Sequence, residues 1–390
     1  MRSIASTRLL SPEFFIPLVY LAYVLMASLS YHVGVTREFL FKPRGFFDAE
    51  PSYLSYLITL LGIVTFSIGA SIGKRFELKK ARHVLALIFF LALITVRVAG
   101  FSIFFCLFLS SLLILVLFQM SRIETKTLAL LSFSIATLCF LTLVSRGIPL
   151  LQPSLREEIA LSITKGLFYS FSLLCVGFLS IEGGRYWILI LSLLSFSILT
   201  GFKADVISII LTVMTVRVLS KKIKLKEALG LLLIGVLTLT LASTVIAKSY
   251  YSWRIPPVFY PLYRAGFTFL VFDKISSLSF PLGHDIKALF TISHEFVSKE
   301  VLGYSKPRGI TTTLLGPAML SFGVAGVVGL SFLLGFYLGV MRRMENVRDI
   351  CLYAIALSHL AILVEIGTQL PSFLFLLSML YLKFGGRRAG

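Results

Sequence analysis

The stretch Thr127–Ser145, TLALLSFSIATLCFLTLVS, runs nineteen residues without a charge, a proline or a glycine. A helix of about 20 such residues crosses the roughly 30 Å hydrocarbon core of a bilayer. Runs of this kind recur along the chain, which is 57% hydrophobic and 14% charged, with a mean hydropathy of +0.93. That composition excludes a soluble globular domain. A membrane β-barrel would need apolar and polar residues to alternate, and they do not, so the backbone is expected to satisfy its hydrogen bonds as helices.

The expected fold is all-α: a polytopic transmembrane helix bundle of about twelve spans, forming one integral membrane domain over residues 1–390. The spans are expected near Phe14–Tyr31, Tyr53–Ser71, Val84–Val96, Phe101–Met120, Thr127–Ser145 and Leu161–Ile181. They continue near Trp187–Thr200, Asp205–Leu219, Ala228–Ile246, Leu314–Val340, Ile350–Ile366 and Pro371–Leu382. Phe14–Tyr31 is followed by no small-residue cleavage site, so it reads as a retained helix. Lys and Arg fix the orientation. The run KRFELKKARH, the run KKIKLKE and both termini are expected on the cytoplasmic side. Of the 37 Lys and Arg, about 21 fall inside and 16 outside, and eight of the outer ones lie in one loop too long to count fully.

That loop, residues 248–311, is the one long polar interruption and is expected outside the cell. Ile286, Phe290, Phe296 and Val297, with Ile292 less regularly, recur on roughly one face there, which suggests amphipathic helices at the membrane interface.

The net charge of +19 could suggest nucleic acid in a soluble protein; here most of the cations orient helices, and no nucleic-acid partner is expected. The four cysteines lie in apolar runs without metal or redox spacing. A single asparagine and scarce glutamine suggest a thermophile.

What topology does not require is a set of outer cations: Arg97, Arg146, Arg156, Lys203, Arg254, Arg264 and Arg308. Singly, each could snorkel to lipid headgroups. Together they suit an anion, because a guanidinium offers a planar fork of donors to phosphate. Asp48, Glu50, Glu157, Glu158, Asp205, Asp273, Asp285 and Glu295 accompany them, and such acids are ordinarily ion-pair partners. Asp205 is expected to pair with Lys203 or to cap its helix. His294-Glu295 opens a zinc-protease pattern that Ser298 breaks, and no protein-built metal site is expected. His284 and His294 are candidate bases, with a surface histidine as the plainer reading. Glycines 323, 326, 329, 335 and 339 give a late helix a small face for close packing. Glu365 and His359 share one helix, and Glu365 is an intramembrane ionisable residue that could reach the outer cavity.

Three segments in order resemble the Wzy-type O-antigen polymerases, or oligosaccharide repeat-unit polymerases. They are Arg146-Gly147-Ile148-Pro149-Leu150-Leu151 with Arg156; the turn Leu199-Thr200-Gly201-Phe202-Lys203; and Thr311-Thr312-Thr313-Leu314-Leu315-Gly316 followed by Phe322-Gly323-Val324-Ala325-Gly326. The resemblance covers about 127–339, with the long outer loop between the second and third segments. Lys203 departs from the more usual arginine. The resemblance implies a GT-C-type membrane glycosyltransferase that polymerises polyprenyl-pyrophosphate-linked oligosaccharides on the outer face of the cell membrane. It implies a lipid-linked donor and acceptor and, as further partners, a chain-length regulator or flippase.

On that reading Arg146, Arg156, Lys203, Arg264 and Arg308 bind the substrate pyrophosphate. Glu158, Asp285, His294 and Glu295 are the candidate catalytic bases. No cofactor and no metal are expected if arginines neutralise the charge. Three alternatives stand beside it. One is an O-antigen-ligase-like transferase. Another is an enzyme using polyprenyl-monophosphate sugars, with Asp48 and Glu50 in its first outer loop. The last is a transporter or flippase of lipid-linked oligosaccharides.

Overall fold

The computed structural model describes residues 8–36, 50–76, 82–98, 102–160, 162–182, 184–224, 226–230, 256, 259–286, 288, 297–303 and 310–385, with a few more between 232 and 240. Among the described residues there is helix and no strand. Among the described residues six helices are long and apolar enough to cross a membrane, and the chain is a multi-pass membrane protein.

The chain divides into two compact units. One comprises residues 1–10, 122–258 and 344–362; the other comprises 11–121, 259–343 and 363–390.

In the first unit, α5 (Thr125–Val144) lies along α7 (Ile163–Glu182), with α8 (Trp187–Thr200) against both and α9 (Lys203–Leu219) against α7 and α8. The short α6 (Pro153–Ile159) starts on Pro153, where a missing N–H costs nothing. α8 ends on Gly201, whose left-handed backbone turns the chain into α9. Most of α12 (Val347–Ile366) also belongs here, and its residues 351–360 are almost wholly buried.

The second unit holds α1 (Pro12–His32), α2 (Tyr53–Gly73), α3 (Arg82–Val98), α10 (Tyr260–Ser279), α11 (Gly316–Met341) and α13 (Leu370–Phe384), with nearly all of α4 (Ile103–Arg122). α11 lies along α2, while α10 packs on α1, α2 and α11. α10 is a difference from the sequence reading, which places 260–279 in an outer loop. Arg264, Asp273 and Lys274 make it too polar to stand out as apolar. Yet Ala265, Gly266, Phe269, Val271, Phe272 and Ile275 are fully or almost fully buried. Its polar residues find partners in the fold. Asp273 accepts hydrogen bonds from Ser52 N at 2.8 Å, Ser52 Oγ at 2.6 Å and Ser55 Oγ at 2.5 Å, satisfying the first turn of α2 from another helix.

α11 is not one straight rod. Leu315 and Ser331 both stand beside Gly62, at 2.6 Å and 3.3 Å from where a Cβ on that glycine would be. Sixteen residues of straight helix would separate them by about 24 Å. The chain therefore reverses at Gly323, whose φ of 59° and ψ of −144° suit glycine alone. Val324 N donates to Pro281 O at 3.0 Å, and His284 N to Leu320 O at 2.7 Å, so residues 281–285 clasp the tip of this hairpin. Past the tip, Gly335 and Gly339 meet the backbone of α2 at Phe66 and Ala70. The descending arm thus runs beside α2 in the same direction. Its partner arm brings Leu315 back to the level of Gly62, about 14 Å below the start of α2 and about 16 Å above its end. Residues 310–315 are therefore irregular backbone near mid-depth, which is tolerated only inside protein or at a cavity.

Candidate functional site

The second break lies between α12 and α13, at Gly367-Thr368-Gln369. α13 has only 15 residues, about 22 Å, and its far end is fixed at the end of α11 by Lys383, whose ammonium donates to Met341 O at 2.6 Å. The break therefore lies below the level a full span would reach. It meets the irregular segment directly. Leu314 N donates to Val364 O at 3.2 Å, and Thr368 Oγ1 to Leu314 O at 3.2 Å. Gly367 has a φ of +94°, and a Cβ there would stand 2.5 Å from Thr312 Oγ1 and 2.9 Å from Thr312 O. Only glycine lets the two breaks touch.

Arg264 of α10 reaches this junction. Its Nε donates to Glu365 Oε1 at 3.0 Å and its Nη2 to Thr311 Oγ1 at 2.8 Å. Thr268 Oγ1 lies 2.9 Å from Thr311 Oγ1. Arg264 is nine residues from Asp273 along α10, about 13 Å from the start of α2. Ionisable groups at such depth are expensive and mark function. The pair is still reachable, since the Arg264 and Glu365 side chains are 26% and 40% exposed. The arrangement can present a guanidinium, held in direction by a carboxylate, to an oxyanion brought in by a lipid. Asp285 belongs to the segment clasping the hairpin tip, and His284 beside it is exposed.

The first unit gathers a second set of cations. Arg146 pairs with Glu158 on α6, but both are largely exposed, at 67% and 55%, so the pair adds less than about 1 kcal/mol to stability. Arg156 is half-buried and packs on the Gly201 turn; a Cβ on Gly201 would lie 3.1 Å from Arg156 Cδ. Leu150 N donates to Leu199 O at 3.0 Å, tying the Arg146–Leu151 segment to the same turn. Lys203 opens α9 directly after it.

Asp205 differs from its expected role. Its carboxylate pairs instead with Lys165 of α7 at 2.8 Å. Lys165 also stands 4.6 Å from the centre of the Phe202 ring. The sequence reading passed over Lys165 because it sits inside an apolar run, and the signal that could have found it is that interruption one turn into α7. Beside it, the Tyr169 hydroxyl lies 3.1 Å from Ser208 Oγ and 2.9 Å from His359 Nδ1. The Lys165 and Asp205 side chains are 12% and 5% exposed, so Asp205→Ala is expected to cost about 3–5 kcal/mol by stranding the ammonium. A fall in the thermal unfolding midpoint of the detergent-purified protein checks it.

Of the residues singled out by sequence, Arg308, His294, Glu295, Arg254 and Asp48 lie outside the described residues. Arg146 and Glu158 are brought together, as are Arg156 and the turn before Lys203. Arg264 is joined to Glu365 and to the Thr311–Thr313 motif. Among the described residues, no three His, Cys, Asp or Glu side chains converge as metal ligands would.

A multi-pass helical membrane protein with two helix breaks meeting beside a half-buried arginine defines the class. The chain belongs to the family described as "Putative O-antigen polymerase", whose profile matches residues 8–381. It is also similar to the uncharacterized protein MJ0420 of Methanocaldococcus jannaschii, 29% identical over 338 residues, which are 83% of each chain. No solved structure matches it.

Proposed function

We propose that the protein is a membrane glycosyltransferase that polymerises polyprenyl-diphosphate-linked oligosaccharide repeat units. The observation that carries this reading is Arg264, held by Glu365 and Thr311 beside two broken helices at mid-depth, in a chain of the O-antigen polymerase family. The acceptor hydroxyl oxygen attacks the anomeric carbon of the donor. The bond from that carbon to the diphosphate breaks, the lipid diphosphate leaves with the electron pair, and the hydroxyl proton passes to a base. Arg264 stabilises the charge that grows on the diphosphate. Arg146, Arg156, Lys203 and Arg308 bind substrate diphosphate as well, and no metal takes part. The base is one of Glu158, Asp285, His294 and Glu295.

With this reading go twelve spans, cytoplasmic termini and chemistry on the extracytoplasmic side, where the lipid-linked donor and acceptor meet. A chain-length regulator or a flippase is the further partner. Glu365 is a positioning residue that keeps the guanidinium aimed. Glu365→Gln is expected to lower turnover about ten- to hundred-fold, with the Michaelis constant for the donor little changed, because the amide oxygen still accepts from Nε but no longer supplies the charge that strengthens that bond. Glu365→Asp is expected to restore part of that loss. Equal turnover in wild type and Glu365→Gln would remove Glu365 from the site.

A second reading is supported by the same broken helices and mid-depth charges, which suit a carrier of lipid-linked glycans. Vesicles holding the purified protein separate the two readings: a transferase lengthens the glycan, whereas a carrier moves it across and lengthens nothing.

A further inference from the structure

At the opposite end of α1 and α2 from the hairpin tip lies a cavity of about 590 Å³, lined by Glu13, Ser71, Lys74, Arg75 and Arg343. Three cations against one carboxylate leave a net charge of +2 around it. The glycines of α2 and α11 bring these residues together. A Cβ on Gly73 would stand 2.1 Å from Phe336 O, and one on Gly339 would stand 2.3 Å from Ala70 O, so the two backbones touch where both helices end. Arg343, just past α11, is then held across the end of α2, donating from Nε to Lys74 O at 3.2 Å and from Nη2 to Arg75 O at 3.1 Å. Lys74 leans toward Glu13 at 3.5 Å while its side chain stays 56% exposed.

The same two helices expose Phe14, Leu18 and Leu21 on α1 and Ile68 and Ile72 on α2, on the turns next to the cavity. In a membrane protein those side chains face acyl chains. A charged pocket thus sits where a lipid-facing apolar surface meets the headgroup plane.

We propose that this cavity binds the phosphate headgroup of an anionic membrane phospholipid, its acyl chains lying along α1 and α2. The phosphate is received by Lys74, Arg75 and the preset guanidinium of Arg343. Glu13 makes the pocket less hospitable to a bare, highly charged anion and suits a headgroup that places a hydroxyl beside its phosphate. Nothing in this inference depends on the glycosyltransferase reading, and its failure leaves that reading untouched.

The test is native mass spectrometry of the delipidated, detergent-purified full chain. It is titrated with phosphatidylglycerol, with phosphatidylcholine and with inorganic phosphate. The wild type is expected to prefer phosphatidylglycerol over phosphatidylcholine. The Lys74→Gln/Arg75→Gln variant is expected to bind phosphatidylglycerol about thirty-fold more weakly, since each cation near the surface contributes about one unit of lipid attraction in kcal/mol. Millimolar phosphate is expected not to displace the lipid. Equal binding of phosphatidylglycerol by both proteins overturns the proposal, as does equal binding of the two lipids by the wild type. Displacement by phosphate alone also overturns it, in favour of a free-anion site. Should the variant fail to fold, the wild-type comparison of the two lipids still decides.

Discussion

Arg264→Ala is expected to slow glycan elongation about 10²- to 10³-fold, the range seen when one group stabilising transition-state charge is removed. Two features set that size. Arg264 is half-buried in the second unit, so its charge would act on a bound diphosphate with less screening than at the open surface. It is also held in direction, Nε on Glu365 at 3.0 Å and Nη2 on Thr311 at 2.8 Å, so little reorganisation is needed as charge develops. Arg264→Lys is expected to recover only a minor part of the rate. A lysine keeps the charge but loses the fork that serves Glu365, Thr311 and an oxyanion together. The measurement is the rate at which purified protein, in vesicles with a lipid-linked oligosaccharide, produces longer glycans on a gel. Rates within a factor of about two of wild type for Arg264→Ala would remove this arginine from the chemistry.

The second large effect is structural. Gly323→Ala is expected to prevent the hairpin of α11 from closing, because the new Cβ would stand 2.0 Å from Pro281 O and 2.5 Å from its carbonyl carbon. Those are backbone atoms and cannot swing aside. The conformation itself, φ 59° and ψ −144°, adds about 1–3 kcal/mol of strain for a residue with a side chain. Either the tip opens or residues 281–285 lose their hold on it, and in both cases Thr311–Leu315 leaves mid-depth. The expected result is a fall of the thermal unfolding midpoint together with loss of elongation. An unchanged midpoint would mean that the chain does not reverse at Gly323.

Most of the helical framework was legible in the sequence because apolar runs report burial in lipid directly. Tyr53–Ser71 is expected and Tyr53–Gly73 found, and Trp187–Thr200 agrees at both ends. What hydropathy does not carry is backbone direction. The run 314–340 reads as one long span with small residues on one face, whereas one of those small residues, Gly323, is the turn of a hairpin. Nor does hydropathy carry partners. α10 reads as loop because Arg264 and Asp273 are charged, yet each is satisfied by residues far away in the chain: Glu365 for the first, Ser52 and Ser55 for the second. The same blindness hid Lys165, whose acid partner Asp205 lies forty residues on.

The candidate site was half legible. Thr311-Thr312-Thr313, Arg264 and Glu365 each stood out by residue type, and the resemblance to repeat-unit polymerases marked the threonine segment. Their junction depends on two helix breaks meeting at Gly367, which no local pattern states.

On the proposed reading, the family's reaction runs on the Arg264–Glu365 pair without a metal. Elongation of a polyprenyl-diphosphate-linked oligosaccharide by the purified protein in vesicles containing EDTA tests it most directly, with wild type and Arg264→Ala side by side. The expected result is a ladder of longer glycans from wild type that EDTA does not diminish, and almost none from Arg264→Ala. A ladder abolished by EDTA and restored by a divalent ion, or an undiminished ladder from Arg264→Ala, would contradict it.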